Sequence, residues 1–133
     1  MRARIVVVAG LIERGGRLLI SQRGVESGYA GFWEFPGGKR ESGERDQAAL
    51  ARELREELDI DVEVGSLVWT STAGPLLLRF YRCKYLDTRR PKALACVQFR
   101  WVRLDELGTY PFPPADDALL HSIARHGLPE SRR

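Results

Sequence analysis

The segment Gly37–Ile60, GGKRESGERDQAALARELREELDI, decides the fold of this chain, because a glycine pair leads here into a strongly patterned helix. The pattern predicts a helix over 46–58. At about 100° per residue, Leu50, Leu54 and Leu58 fall on one stripe, which is expected to pack on the core. Asp46 is expected to cap the helix, since its carboxylate can accept from free backbone N–H groups.

Three glutamates occupy the stripe beside the leucines, namely Glu53, Glu56 and Glu57. Like charges at neighbouring helical positions repel, so this arrangement costs free energy unless something compensates it. One interpretation is a solvated helix face. The other is a hard divalent cation such as Mg²⁺, which takes carboxylate oxygens as ligands. The helix alone leaves both interpretations open.

Length and composition indicate one globular domain, 1–133. With 44% hydrophobic and 29% charged residues, the chain can bury a core and is not of the disordered type. No apolar stretch is long enough to span a bilayer, and the apolar run near the N-terminus is interpreted as a first strand instead of a signal peptide. The net charge of +3 is compatible with a polyanionic substrate. Cys83 and Cys96 are expected to be reduced thiols in a cytoplasmic protein.

Strand-like runs precede, separate and follow two predicted helices. These runs are Ile5–Ala9, Leu18–Ile20, Trp33–Phe35, Val62–Val64, Leu67–Trp69, Leu76–Tyr85 and Cys96–Val102. The sequence PGG, 36–38, is predicted to break the third of them. The second helix is predicted over Ala115–His126, closed by Gly127. This order predicts an α/β (α+β) fold with a mixed β-sheet between helices.

The spacing of residues around the first helix resembles the signature of the Nudix hydrolases. Gly38 is followed after five residues by Glu44, and after seven more by the block RELREE, 52–57, with Ile60 closing the motif. Three short flanks resemble the MutT-like nucleoside triphosphate branch: QRG at 22–24, FWEFPGGK at 32–39 and FPPAD at 112–116. The resemblance implies an αβα sandwich that hydrolyses a nucleoside diphosphate linked to another moiety.

The resemblance also implies a metal site on the helix. Glu56 and Glu57 would be ligands of Mg²⁺ or Mn²⁺, and Glu53 would be a ligand or the base that activates water. Gly37 and Gly38 would bring backbone close to the metal, since glycine has no side chain to obstruct it. Phosphoryl transfer depends on such positioning and on neutralising the charge that develops.

Four further residues are expected to support the site, two as a brace and two as phosphate cations. Arg52 and Glu44 would pair and brace the catalytic element, by the same resemblance. Lys39 and Arg23 are suited to phosphate oxygens, with an ordinary surface cation as the alternative for each.

Two positions depart from the family pattern. Asp59 stands where the signature has glycine, and we expect a left-handed conformation there, at some cost in stability. Relatives commonly supply a further acidic ligand from the loop before the late strand. It is expected near Ala95, where the run KALACVQ, 92–98, contains no acid. Gln98 is polar but neutral, so water would complete a metal shell. A lower rate or a different number of metal ions would follow.

Aromatic and apolar residues are candidates for the nucleoside pocket. Phe35 and Trp33 can stack on any base, and burial in the core is the equal alternative. Leu76, Leu78 and Phe80 share one face of their strand and are expected to line the base site.

Asp116 bears on which base is bound. An asparagine matches this place in the branch that hydrolyses oxidised guanine nucleotides, whereas relatives acting on cytidine nucleotides tend to carry aspartate. A carboxylate only accepts hydrogen bonds, so it suits an exocyclic amino group such as that of cytosine. Capping of the last helix is the alternative role. The sequence thus leans towards a pyrimidine triphosphate over 8-oxo-guanine.

The expected function is Mg²⁺-dependent hydrolysis of a (deoxy)nucleoside triphosphate to the monophosphate and pyrophosphate. Its expected role is nucleotide-pool sanitising, on an oxidised purine such as 8-oxo-dGTP or on a cytidine-type triphosphate. Two alternatives remain open. One is another nucleoside diphosphate compound, such as a nucleotide sugar or an RNA 5′ end, and the other is a non-catalytic nucleotide-binding module. The partner is a small nucleotide, with no other nucleic acid expected, and the chain is a monomer or a homodimer.

Overall fold

The computed structural model describes residues 4–26 and 28–130, so both ends of the predicted domain 1–133 lie outside the described residues. The elements follow in the order β1 (Ile5–Arg14), β2 (Arg17–Gln22), β3 (Trp33–Glu34), β4 (Gly37–Lys39), α1 (Asp46–Leu58), β5 (Val62–Ala73), β6 (Leu76–Tyr85), β7 (Phe99–Arg103) and α2 (Asp117–His126). Two 3₁₀ segments, Leu104–Thr109 and Pro114–Asp116, lie between β7 and α2. Within the described ranges, no helix combines the length and apolar character needed to cross a membrane.

The strands form one mixed sheet centred on β1, in the order β3-β2-β1-β6-β5, with β4 added to β1 and β7 to β2. β1 runs parallel to β6 and antiparallel to β2 and β4. Its first half pairs with β4, where Ala9 faces Gly37, and its end pairs with β2, where Glu13 faces Leu18. The mixed sheet is confirmed, and β4 brings the glycine pair beside its central strand.

The two helices cover opposite faces of this sheet. The leucine stripe of α1 is buried with the face that carries Val8 and Tyr81, whereas Leu119 and Ile123 of α2 are buried with Phe35 and Phe80. Odd-numbered residues of β6 therefore face α1 and even-numbered ones face α2, as strand alternation requires. The expected αβα sandwich is confirmed.

Local patterns predict the helices better than the strands. α1 has the predicted bounds, while α2 begins at Asp117 because 115 and 116 belong to a 3₁₀ segment. The predicted strands Val62–Val64 and Leu67–Trp69 are one strand, β5, with two irregularities in its pairing to β6. The late strand begins at Phe99 and not at Cys96, since loop 92–97 packs instead on the end of α1.

The predicted break after the third strand is confirmed, since β3 ends at Glu34 and residues 35–36 belong to no strand. The sequence did not predict that Gly37–Lys39 then pairs with β1 as a new strand, β4, where glycine permits a close approach. A Cβ added to Gly37 would lie 1.9 Å from the Val8 carbonyl oxygen.

The start of α1 differs from the prediction, whereas its end agrees with it. Asp46 is the first helical residue, and within the described residues no side chain caps the helix, so the predicted cap is wrong. The Asp46 carboxylate points away from the free N–H groups, to Tyr81 and two arginines. Asp59 has φ of 55°, so the predicted left-handed conformation is confirmed, and its carboxylate accepts a 3.0 Å bond from Arg89.

Candidate active site

β4 places Gly38 directly against the glutamate edge of α1. A Cβ added to Gly38 would lie 2.2 Å from Glu53 Oε2, well inside van der Waals contact. Only glycine fits at this position without displacing the carboxylate. Glu53 thus rests on the backbone of Gly38, and desolvation by burial raises the pKa of Glu53.

Arg52 fastens the loop after β4 to the helix. Its Nε lies 2.8 Å from Glu44 Oε2 and its Nη2 lies 2.9 Å from Glu44 Oε1, which is a two-bonded ion pair. Nη2 also donates to the Lys39 carbonyl oxygen at 3.3 Å. The bonds from Arg52 lower the pKa of Glu44 to about 2, with help from the Glu41 backbone N–H. The structure therefore brings together the two residues expected to brace the element.

The same guanidinium holds two of the three glutamates. Arg52 Nη1 lies 3.1 Å from Glu53 Oε1 and 2.6 Å from Glu56 Oε1. Among residues 4–26 and 28–130, no three Asp, Glu, His or Cys side chains are grouped so that they could hold a metal ion as they stand. The reason is local: Glu53 and Glu56 turn to the positive charge of Arg52, while Glu57 turns inward.

Glu57 is buried between α1 and β2. Ser21 Oγ donates a 3.0 Å hydrogen bond to Glu57 Oε1, and both residues are buried. Desolvation raises the pKa of Glu57 to about 8, the negative charge of Glu34 adds to the rise, and Ser21 opposes it. A carboxyl with this pKa is partly protonated near neutral pH, unlike an exposed glutamate.

The glutamate edge by its chemistry suits a hard divalent cation. Its donors are all carboxylate oxygens, from Glu53, Glu56 and Glu57, and these are the ligands that such cations prefer. The Glu53 carboxylate occupies the space that a side chain at position 38 would fill, so glycine there lets this carboxylate lie at the edge. A cation there would take over the charge that Arg52 now compensates at Glu53 and Glu56.

A cavity of about 560 Å³ lies on the face of the sheet that carries α2. Its lining includes Gly37, Gly38 and Lys39 of β4, and Gly38 also contacts Glu53. Further in, its walls include Leu76, Leu78 and Phe80 of β6, as their shared strand face predicted, together with Phe35, Arg23, Glu34 and Asp116. A volume of this size is typical of small-molecule sites.

Arg23 lies in the cavity but is already engaged. Its Nη1 lies 2.5 Å from Glu34 Oε1 and its Nε donates to the Gly28 carbonyl oxygen at 2.6 Å. A guanidinium paired in this way is held near the inner wall and carries little uncompensated charge for a phosphate. The expected contacts of Arg23 and Lys39 with phosphate oxygens stay predictions, and for Arg23 such a contact would compete with Glu34.

Asp116 is buried in the wall of the cavity, with 5% of its surface exposed. It occupies the N-cap position of α2, yet among the described residues its carboxylate receives no capping hydrogen bond, so the capping alternative is wrong. Desolvation raises its pKa to about 7, followed by the negative charges of Glu34 and Asp117, against Arg23. Near neutral pH this carboxyl is therefore both donor and acceptor.

The two aromatic candidates have different places. Phe35 lines the cavity and packs on Phe80 and Phe112, with ring centroids 6.1 Å and 5.2 Å away. Trp33 does not line this cavity; it packs edge-on against Tyr110 and beneath the Arg100 guanidinium. The core alternative therefore holds for Trp33.

The loop before β7 contacts the helix through backbone and brings no acid. The N–H groups of Leu94 and Ala95 donate to the Glu57 carbonyl oxygen at 3.0 and 3.2 Å. Gln98 donates to the Gln22 side chain. Cys96 lies near the acidic edge, where burial and the charges of Glu57 and Glu34 raise its pKa to about 11, so it stays a thiol.

Two site residues escape prediction from the sequence, Ser21 and Glu34. Each is a polar residue at the end of an otherwise apolar strand, which is a weak signal because strand ends are commonly polar. Their importance follows from partners far along the chain, Glu57 for Ser21 and Arg23 for Glu34.

The sequence of this chain is similar to a known domain family. The model of the NUDIX domain family matches residues 7–122, and the chain therefore belongs to this family. Members of the family generally use a divalent metal.

Relatives with assigned names indicate the MutT-like branch of the family. A Mycobacterium tuberculosis protein (strain CDC 1551 / Oshkosh), provisionally named 8-oxo-dGTP diphosphatase 2, is 42% identical over 90% of this chain and 88% of its own length. The CTP pyrophosphohydrolase of Escherichia coli K12 is 39% identical over 90% of both chains. A MutT structure, from work on Aliivibrio salmonicida and Vibrio cholerae, superposes with a TM-score of 0.74 at 32% identity, over 92% of this chain and 98% of that chain. The expected MutT-like Nudix hydrolase is confirmed.

Proposed function

We propose that this chain hydrolyses a (deoxy)nucleoside triphosphate to the monophosphate and pyrophosphate with Mg²⁺, with Mn²⁺ as a substitute. The observation that supports the proposal is one continuous cavity. It is lined at one end by Gly37, Gly38 and Lys39, beside the glutamates, and at the other by Asp116. A nucleoside triphosphate would place its phosphates at the first end and its base at the second.

Glu53, Glu56 and Glu57 would hold the metal ion. When bound, it would polarise the attacked phosphorus, neutralise developing charge and lower the pKa of water. Arg52, fixed by its two bonds to Glu44, keeps the side chains of Glu53 and Glu56 at the same edge.

Glu53 is the proposed proton acceptor. Its pKa is raised by burial, and a carboxylate with a raised pKa is a better base for water than an exposed one. It also lies against the backbone of Gly38, and Gly38 in turn lines the cavity. Lys39, at the same end, would bind phosphate oxygens as a point charge.

Asp116 supports a cytidine-type base. A neutral carboxyl donates through its O–H and accepts through its carbonyl oxygen. Cytosine presents the complementary pair, since its N3 accepts and its exocyclic amino group donates. With the pKa of Asp116 raised to about 7, this neutral form is well populated near neutral pH. The relative named CTP pyrophosphohydrolase has a matching substrate in its name.

A second candidate substrate is 8-oxo-dGTP. Ionised Asp116 accepts two hydrogen bonds, and a guanine ring offers two adjacent donors, N1–H and its amino group. The name of the M. tuberculosis relative points the same way. Both substrates are compatible with clearing unwanted nucleotides from the pool, which is the proposed cellular role.

A turnover screen tests the proposal. The purified chain is incubated with Mg²⁺ and canonical, oxidised and methylated triphosphates, a nucleotide sugar and a triphosphate-ended RNA. We expect the fastest release of pyrophosphate from a cytidine-type triphosphate or from 8-oxo-dGTP. Glu53→Gln should abolish it, and Glu63→Gln, on the exposed side of β5, should not. Binding of nucleotides without any turnover would instead favour a non-catalytic module.

We also propose a cytoplasmic location, where nucleotide triphosphates occur and thiols stay reduced. Cys83 and Cys96 are free thiols in the structure. The cavity is lined by one chain, so a monomer and a homodimer are both compatible with activity.

A further inference from the structure

A buried carboxylate lies at the start of α1, on the face of the sheet opposite the cavity. Asp46 is 7% exposed and accepts three hydrogen bonds: 2.6 Å from Arg40 Nη1, 2.9 Å from Arg79 Nη1 and 2.6 Å from the Tyr81 hydroxyl. Burial alone would raise its pKa, but the three bonds together hold the pKa below its ordinary value. Asp46 is therefore a charged, fully engaged group.

Its partners belong to the elements that build the two ends of the cavity. Arg79 and Tyr81 alternate on β6 with Leu78 and Phe80, which line the nucleoside end. Arg40 directly follows β4, whose Gly38 supports Glu53. One carboxylate thus joins the start of the glutamate helix to the strand of the nucleoside pocket and to the strand of the glycine pair.

We propose that Asp46 is a positioning residue that sets the distance between the nucleoside pocket and the glutamate edge of α1. The proposal rests on the proposed triphosphate hydrolysis. Within the described residues no side chain caps α1, so the Asp46 bonds are its side-chain anchor at this end. A misplacement of about 1 Å between reacting groups can lower a rate about 100-fold.

Asp61, which lies shortly after the end of α1, provides a matched control. Asp61 also has two arginines and one hydroxyl as partners: it accepts hydrogen bonds from Arg55 at 2.6 Å and Thr88 at 2.8 Å, and it forms an ion pair with Arg89 at 3.6 Å. Its partners lie on α1 and in loop 86–91 and do not line the cavity. A loss of general stability should follow from changing either aspartate, whereas loss of positioning should follow from Asp46 alone.

The first experiment compares Asp46→Asn with Asp61→Asn in steady-state hydrolysis of the best triphosphate. We expect Asp46→Asn to lower kcat about 100-fold with KM changed less than about threefold, because binding groups remain while alignment is lost. Asp61→Asn should keep kcat within about threefold. Equal losses in both variants, or full kcat in Asp46→Asn, would overturn the proposal.

Tyr81→Phe serves if Asp46→Asn does not fold. It removes one hydroxyl from Asp46 Oδ2 and leaves both ion pairs, so the melting temperature should fall by a few degrees and kcat about tenfold at a temperature where the variant is folded. Unchanged kcat in this variant would contradict the positioning role.

A binding measurement separates this proposal from the proposed function. The probe is a non-hydrolysable α,β-imido deoxynucleoside triphosphate, titrated calorimetrically with and without Mg²⁺. The wild type should bind it at least tenfold more tightly with Mg²⁺, since one ligand contacts both ends of the cavity. Asp46→Asn should lose this coupling, and Asp61→Asn should keep it. If the wild type shows the coupling but no turnover, the proposed function fails alone; if Asp46→Asn retains the coupling, the positioning role fails alone.

Discussion

The Ser21 hydroxyl donates a 3.0 Å hydrogen bond to Glu57 Oε1, and both residues are buried where β2 meets α1. This contact orients one of the three glutamates by a residue that is 36 positions away along the chain. A buried acceptor that loses its donor has neither a protein partner nor water, and this lowers the free energy of unfolding. The contribution of the contact can therefore be measured.

Ser21→Ala should lower the free energy of unfolding by about 1–3 kcal/mol, most clearly above pH 8, where Glu57 is ionised. Chemical denaturation gives the value. Ser66→Ala, at an exposed position of β5, should stay within about 0.5 kcal/mol of the wild type. Equal effects of the two substitutions would show that the buried hydrogen bond contributes nothing.

The stability of the metal-free protein should fall as pH rises towards 8. Glu57 and Asp116 have folded pKa values of about 8 and about 7, above their ordinary values of 4.5 and 3.8. Their protonated forms therefore contribute stability that is fully present below about pH 4 and lost as pH rises through 7 and 8. Each group contributes a slope of at most about 1.4 kcal/mol per pH unit.

Denaturation in a chelating buffer between pH 5 and 8.5 measures this dependence. The double variant Glu57→Gln, Asp116→Asn should flatten the profile, because neither replacement titrates. A wild-type profile that is flat in this range, or one that the double variant reproduces, would contradict the assigned shifts.

Gly38→Ala should abolish most activity while leaving the fold intact. The new Cβ would lie 2.2 Å from Glu53 Oε2, so the carboxylate must move, and displacement on this scale costs about 100-fold in rate. The control is Gly108→Ala, since no heavy atom of the described residues lies within 4 Å of a Cβ there. Retained activity in Gly38→Ala would show that the position of Glu53 against the backbone is unimportant.

Base preference should change with pH in the wild type and stay constant in Asp116→Asn. As Asp116 loses its proton near pH 7, kcat/KM for a cytidine triphosphate should fall relative to that for 8-oxo-dGTP. The two substrates competed in one mixture, from pH 6 to 8.5, give this ratio directly. Asp117→Asn removes a charge that raises the pKa of Asp116, so its transition should move to lower pH. A ratio independent of pH in the wild type would refute the role of Asp116.

The helix and its acidic edge are predictable from sequence because their causes are local. Leucines four residues apart define the buried stripe of α1, and the glutamates beside them follow from the same period. The left-handed end at Asp59 is local too, as the αL position after the helix is set by backbone geometry.

Partners distant along the chain are decided by the tertiary structure. Asp46 is a residue type that commonly caps helices, but in the folded chain its carboxylate accepts from Tyr81 and Arg79 of β6 instead. Glu34 and Arg23, which both line the cavity, pair with each other across 11 positions of the chain. The glycine pair forms a strand beside β1, where the Val8 backbone lies too close to position 37 for any side chain.

The sequence alone therefore determined the family signature, the helix and the residue types at the acidic edge, since these depend on spacing along one element. Only the tertiary structure decided the protonation of Glu57 and Asp116 and the partners of Ser21, Asp46 and Arg23. The physical reason is that desolvation and hydrogen bonding act over a few ångströms in space, between residues that are tens of positions apart in the chain.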